Sequence, residues 1–496
     1  MKKIPSIIIA AIAAVIFLPA RSAEKRPNIL LAIADDWSWP HAGAYGCKFV
    51  KTPAFDQVAR EGVLFNRAFC ASPGCSPSRA ALLTGRQTWQ IEQAGTHASS
   101  FPSKYLVYPD ILEKAGYHVG FTGKGWAPGN WKASGRTRNP AGPEHSDLKL
   151  NPPYSGINKI DYAGNFKAFL SQRPKDKPFC FWYGGHEPHR AYEQGSGLKE
   201  GRRPEDAVVP LFLPDVLVVR SDELDYAVEV EWFDRHLGLM MRTLEEAGEL
   251  DNTLIVVTSD NGMPFPRAKA NVYEYGIHMP MAIRWPRRAK AGRTIDDFVS
   301  FIDLAPTFLE AAGLKTPATM TGRSIMNLLA ADGQGQVDPT RARIFAGRER
   351  HSSARVNNLG YPSRALRTAD FLYIRNFAPD RWPAGDPRGV EGDSFGYYDI
   401  DASPSKTFVI EKGSTQEYRQ FFDLAVAKRP AEELYVLKDD PYAVVNVADR
   451  PERLAALKQM RSDLEQYLKK TGDPRILGTG DIFESYPRYS PIRKFQ

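Results

Sequence analysis

The sequence predicts an α/β protein: a mostly parallel sheet with helices on both faces, joined to a smaller C-terminal α+β unit. Three observations carry that reading. Residues 29–34, 178–183 and 253–258 are short, mainly apolar runs, the pattern of strands covered on both sides. Segments with helical periodicity alternate with them, which is how parallel strands are connected. Two of the runs stop in polar groups, Asp35-Asp36 and Asp260-Asn261. That places acids at the carboxyl edge of one sheet, where open α/β sheets bind their ligands. A chain of 496 residues is long enough for one large domain and a second, smaller one.

Taken in order, residues 1–23 stand apart. Lys2 and Lys3 precede an apolar stretch at 4–18, and small residues at 20–23 close it, the layout of a cleaved secretory signal. The apolar stretch is too short for a comfortable membrane span. The expectation is an exported protein, periplasmic or secreted, with no membrane association after cleavage. The large domain then occupies 24–335. After the 29–34 strand, 51–61 reads as a helix with Phe55, Val58 and Ala59 inward, and 63–65 leads into a loop around Cys75. A helix begins at 79–83, another covers 109–115, and 117–121 is a strand. Residues 127–165 are rich in Gly, Pro and Asn and form a surface loop. The 178–183 strand delivers Gly184-Gly185-His186-Glu187-Pro188-His189-Arg190. Ser221 caps a long amphipathic helix reaching 250, with Leu224, Val228, Phe233, Leu237 and Leu244 on one stripe. Composition shifts near 335, and 336–496 forms the smaller unit. Its strands are expected at 344–347, 363–367, 371–375, 397–400 and 433–437, before a helix over 452–470.

Composition narrows the function classes. Hydrophobic residues are 43 % and charged residues 25 % of the chain, ordinary for a globular protein. The formal charge of +7 falls to +4 once Lys2, Lys3 and Arg21 leave with the signal, a mild balance compatible with an anionic substrate. No basic stretch interleaved with aromatics suggests a nucleic-acid surface. The four cysteines are Cys47, Cys70, Cys75 and Cys180. They allow at most one disulfide if Cys75 has another role; Cys47 with Cys70 is one pairing, and buried thiols are the expectation.

Asp35, Asp36, Asp260 and Asn261 bring three carboxylates and an amide together. Three acids so close raise one another's pKa and call for a cation. Oxygen ligands favour a hard divalent ion, calcium or magnesium, over zinc. Between the two acidic strand ends lies Cys75-Ser76-Pro77-Ser78-Arg79, followed by a small and apolar turn and Thr84-Gly85. This motif resembles the signature of the type I sulfatases, whose fold is alkaline-phosphatase-like.

The resemblance implies that a formylglycine-generating enzyme oxidises Cys75 to Cα-formylglycine. One hydroxyl of the hydrated aldehyde attacks sulfur, and loss of the other's proton expels sulfate, giving covalent catalysis with built-in turnover. It further implies that Asp35, Asp36, Cys75, Asp260 and Asn261 bind Ca2+, and that Arg79, Lys124, His186 and Lys269 serve the reaction. Arg79 would hold the nucleophile and the metal site, Lys124 and Lys269 the sulfate, and His186 would protonate the leaving group. In one respect the chain departs from the family. Many members carry a histidine two residues after the lysine; here Lys124 is followed by Gly125-Trp126.

The stretches 186–190, 259–266 and 361–364, with Asn271 and Tyr273, are similar to the sulfamidase-like (heparan N-sulfatase-like) branch. That similarity implies a sulfated glycan substrate carrying O- or N-sulfate. By the same resemblance His189, Arg190, His351 and Arg355 are expected to meet it. Two other readings stand beside this one: a phosphodiesterase or phosphonate hydrolase of the same superfamily, and a non-catalytic binder of sulfated glycans.

Overall fold

The computed structural model describes residues 25–390 and 395–495; the expected signal segment lies outside them. The large sheet has eight strands: β1 (Asn28–Ala34), β2 (Val63–Phe69), β3 (His118–Gly123), β4 (Phe179–Gly184), β5 (Thr253–Ser259), β6 (His278–Arg284), β7 (Arg293–Ile295) and β8 (Val299–Ser300). Their order is β3-β4-β1-β5-β6-β2-β7, with β8 also on β2. All pairings are parallel except those of β6, which runs antiparallel to both β5 and β2. The sequence reading did not place β6, because it lies inside a stretch whose turns resemble a loop.

Strand β1 shows why both faces carry helices. Successive side chains of a strand point to opposite sides. Ile29, Leu31 and Ile33 join a core with Leu82, Leu112 and Phe308, from the helices Cys75–Thr84, Tyr108–Lys114 and Leu304–Ala311. Leu30, Ala32 and Ala34 join a second core with Val58, Phe166 and Phe233, from the helices Pro53–Arg60, Tyr162–Gln172 and Leu217–Glu246. A strand sandwiched in this way has no wet face, which explains its unbroken apolar sequence.

Two local readings need correction. The long helix begins at Leu217, not at Ser221, and no side chain caps it. Its first residue, Leu217, is exposed, so the apolar periodicity that marks a helix starts a turn late. Residues 397–400 form a turn rather than a strand: Tyr397 has φ +49°. Asp399 anchors that turn by accepting hydrogen bonds from Arg348 and Arg355, at 2.7 and 2.8 Å. All four cysteines are free thiols, so Cys47 and Cys70 are not paired.

The smaller sheet is antiparallel, in the order β12-β11-β10-β9. Its strands are β9 (Arg343–Arg348), β10 (Ser363–Thr368), β11 (Phe371–Asn376) and β12 (Glu432–Val436), covered by the helix Leu454–Lys470. Buried polar contacts tie it to the large sheet. Arg367 on β10 donates to Glu274 at 2.6 Å, and Tyr273 donates to Glu433 at 2.8 Å.

Burial alone would raise the Glu274 carboxyl, but Arg367 and His278 beside it hold it down, from 4.5 to about 2. A depressed carboxylate contributes stability in full above its unfolded value and loses it as pH falls. The contribution of this contact is therefore lost between pH 4.5 and about 2. Arg367→Ala should cost about 3–5 kcal/mol at neutral pH, because it strands a buried charge. In denaturant titrations the difference from wild type should narrow as pH falls through that window.

Candidate active site

At the carboxyl edge of the large sheet lies a cleft of about 390 Å3, lined by Asp35, Cys75, Lys124 and Lys269 among others. Strand β1 ends in Asp35 and Asp36. In continuing strand geometry these two would point to opposite faces, but Asp36 has φ +77°, which breaks the alternation. One donor atom each from Asp35, Asp36 and Cys75 then lie within 4.8 Å of one another. Strand β5 ends in Asp260 and Asn261, and the Asp260 amide donates to the Ala34 carbonyl at 3.1 Å. Each of these four polar residues is buried.

Cys75 opens the helix Cys75–Thr84, whose ten residues are all buried. The helix begins earlier than its sequence suggests, since Pro77 in the first turn has no N–H to lose from the ladder. Gly74 precedes it because a Cβ there would stand 2.8 Å from His351 Nδ1. The helix N-terminus, with its free N–H groups, faces the cleft and favours an anion there. Burial pushes the Cys75 thiol up to about 12.

Cations from three separate segments answer the acids. Arg79 Nε donates to Asp260 Oδ2 at 2.6 Å, and its Nη1 donates to the Gly125 carbonyl at 3.1 Å. Lys124 donates to Asp35 Oδ2. The Lys124 carbonyl also accepts from Trp182 Nε1 at 3.0 Å, which fixes the main chain behind the ammonium. Lys269 donates to Asp36 Oδ2 at 2.6 Å and to Asp401 Oδ2 at 2.9 Å.

The acids still differ in how well they are served. Burial works against ionising Asp35, but Lys124, with His189 and Arg79, outweighs it and holds that carboxyl well below its usual range. Burial raises Asp36 despite Lys269, and raises Asp260 to about 7 despite Arg79. Asp35 Oδ1 and Asn261 Oδ1 are buried without a hydrogen-bond partner. Two lone acceptors and two acids short of positive charge are what a set of hard oxygen ligands for a divalent cation offers. Asp35, Asp36, Asp260 and Asn261 fit such an ion.

Histidines line the rest. His186 is held down to about 4, by burial and then by Lys124. His189 Nε2 lies 3.9 Å from Asp36 Oδ2. His351 lines the cleft and packs on His97, ring centroids 4.4 Å apart. His97 is the residue the sequence reading missed. Its Nε2 stands 3.9 Å from Cys75 Sγ. It thus reaches the nucleophile position from the loop after the helix, where the family's usual histidine beyond Lys124 is absent. Burial, then His351, keeps it well below the ordinary imidazole value. Asp401 was also missed; it comes from the 397–401 turn, far away in sequence.

Two expected substrate residues are otherwise engaged. Arg190 lines the cleft, but Asp222 holds its guanidinium through two bonds at 2.6 and 2.8 Å. Arg355 does not reach the cleft wall; it donates to Asp399 and to the carbonyls of Trp382 and Pro383.

An α/β sheet whose acidic edge, lysines and histidines surround a cysteine at a helix N-terminus defines a hydrolase for an anionic ester. The sulfatase family model matches residues 27–314, and the chain belongs to the sulfatase family. It is a sulfuric ester hydrolase, and its relatives act on sulfated glycans. The chain is 28 % identical to human N-sulphoglucosamine sulphohydrolase, over 95 % of this chain and 96 % of that protein. It is 27 % identical to an ulvan-active sulfatase of Formosa agariphila, over 91 % of this chain and 81 % of that one. A solved structure in complex with its substrate D-glucosamine-2-N,6-O-disulfate superposes with a TM-score of 0.63 at 20 % identity, covering 90 % of this chain and 99 % of that one.

His97→Ala should lower kcat by roughly 10²–10⁴-fold, the range for a lost proton-transfer group. The effect should fall mainly on kcat, since His97 Nε2 stands 3.9 Å from Cys75 Sγ. Steady-state kinetics with an aryl sulfate checks this, and an unchanged kcat removes His97 from the chemistry.

Proposed function

We propose that this chain is an exported, formylglycine- and calcium-dependent sulfatase that removes sulfate from an amino sugar of a sulfated glycan. The observation that carries the reading is Cys75 at the mouth of a buried helix, within one cluster with Asp35, Asp36, Lys124, Lys269 and His97. Likeness to N-sulphoglucosamine sulphohydrolase along nearly the whole chain supports the amino sugar. The layout of residues 1–23 supports export and removal of the signal.

Asp35, Asp36, Asp260 and Asn261 would hold calcium, with the matured residue 75 completing the set. Calcium supplies Lewis-acid polarisation of the sulfate oxygens, and the hydrated aldehyde of formylglycine supplies the nucleophilic oxygen. The protein's own groups do the rest. Lys124 and Lys269 bind sulfate oxygens with charge-assisted hydrogen bonds. Arg79 orients Asp260 through its Nε–H bond to Oδ2. His97 takes a proton at Nε2 from the nucleophile. His186 gives a proton to the leaving oxygen or nitrogen; an entering sulfate offsets the Lys124 charge, the second cause after burial of its lowered pKa. His351 and His189 meet the sugar at the cleft mouth. A second reading, a polysaccharide sulfatase without preference for amino sugars, is favoured by the ulvan-active relative.

Cys75→Ala should abolish sulfate release and leave the melting temperature near that of wild type, and the residue-75 peptide from native protein should have the mass of formylglycine. Retained turnover rejects the nucleophile assignment. Exhaustive chelation should lower both activity and melting temperature, with recovery on adding calcium, because an ion bound only by the native state stabilises it. Sulfate release from N-sulfated glucosamine, with none from an ulvan oligosaccharide, decides for the amino sugar; the reverse decides for the second reading.

A further inference from the structure

The active cleft borders a second opening. Residues 153–158 contribute to both: Gly156 and Asn158 line the cleft, while Pro153 and Ile157 line a recess of about 590 Å3. The helix Leu217–Glu246 is divided in the same way, with Glu229 in the cleft and Val228 and Trp232 in the recess. The two openings share a rim, and a chain leaving the cleft across it enters the recess. From Val228 the recess follows the helix through Glu231, Arg235 and Gly238 to Arg242, positions spaced to lie on one helix face. At the rise of an α-helix this stretch covers about 20 Å.

The charges of the recess are unequally engaged. Its acids are taken. Arg202 holds Glu231 through bonds at 2.9 and 2.7 Å and reaches Glu200 at 2.9 Å. Asp234 accepts the Ala54 and Phe55 amides, at 2.9 and 2.7 Å, at the start of the helix Pro53–Arg60. Its cations are not taken: Lys51, Arg235 and Arg242 are exposed, and among the described residues no carboxylate pairs with their side chains. Arg235 rests on the Trp232 ring, 5.3 Å from its centre, a contact that uses none of the guanidinium N–H groups. The Trp232 indole N–H, at the same wall, is buried without a hydrogen-bond partner. Between the two arginines the floor is bare. Gly238 stands inside a helix, where glycine is unfavourable. Packing does not demand it, since an added Cβ would meet Ala54 Cβ at an ordinary 3.4 Å.

We propose that this recess continues the active site and receives the further units of a multiply sulfated glycan chain, with Lys51, Arg235 and Arg242 binding sulfates that are not being hydrolysed. A guanidinium fork binds an oxyanion through paired N–H groups, and a sulfate gives each of these cations the partner that the protein withholds. Arg235 and Arg242 are two helical turns apart, about 10 Å, so with Lys51 they mark out a track rather than a point. A single sugar in the cleft does not extend along such a track; a chain does. The inference rests on the glycan-sulfatase reading above and deepens it: the preferred substrate is an oligosaccharide carrying several sulfates.

The test is titration calorimetry with a heparin octasaccharide and an ulvan octasaccharide. It uses the full chain carrying Cys75→Ala, so that neither glycan is desulfated during the measurement. We expect Arg235→Gln combined with Arg242→Gln to weaken binding of at least one octasaccharide about tenfold, the scale of two solvent-screened ion pairs. Lys469→Gln combined with Lys470→Gln removes the same charge from the smaller unit and should leave both affinities as they were. Unchanged affinity in the arginine variant, or no binding of either octasaccharide by the parent, overturns the groove. So does an equal loss in the lysine variant, which marks diffuse attraction. The sulfatase reading is tested apart, by sulfate release from nitrocatechol sulfate with the matured enzyme. If that release is absent while the arginine variant alone loses affinity, the sulfatase reading falls and the groove stands. If the arginine variant does not fold, chain length decides. Affinity that rises from heparin disaccharide to octasaccharide, with the gain lost at about 1 M salt, supports the groove; equal affinity at both lengths overturns it.

Discussion

Three carboxylates buried at one sheet edge are the constraint from which the rest of the site follows. Removing a carboxylate from water is expensive unless opposite charge comes with it. Arg79, Lys124 and Lys269 supply that charge from a helix, a strand end and a loop, so three stretches of chain must close on the same point before the edge is stable. Lys269 also engages Asp401, which draws the smaller unit into the same network. The catalytic edge and the contact between the two sheets are thus parts of one electrostatic arrangement.

How much of this was legible in the sequence depended on whether a signal was local. Strands β1, β4 and β5 were legible because burial on both faces leaves no polar alternation. The Cys75 motif was legible because its residues are contiguous on one helix. The acids were found as strand endings, without knowing that a left-handed backbone at Asp36 turns both toward one cluster. His97 left no trace in the sequence: it sits in a loop with no pattern, and only the fold sets it 3.9 Å from Cys75. Asp401 was hidden for a related reason, since its segment resembles a strand and is a turn tied by Asp399.

Arg190 and Arg355 were both expected to meet the substrate; Arg190 does line the cleft, and Arg355 does not. A positively charged residue near an anion site invites a binding role, yet both guanidiniums are held by carboxylates, Asp222 and Asp399. Arginine's planar fork makes such pairs rigid. Their contribution is to the shape of the walls, through the long helix in one case and the 397–401 turn in the other.

The burial of the Cys75–Thr84 helix has a kinetic meaning as well. A thiol that is 2 % exposed, at the foot of a cleft shared with His97 and His351, offers little surface once the chain has closed. On the reading proposed here, maturation and folding compete for the same segment, and the winner is irreversible. A chain that folds first is trapped as a stable, inert thiol form. The yield of active protein is then a ratio of two rates, set while the chain is still open, and substitutions that slow closure of this helix raise it even as they weaken the finished fold.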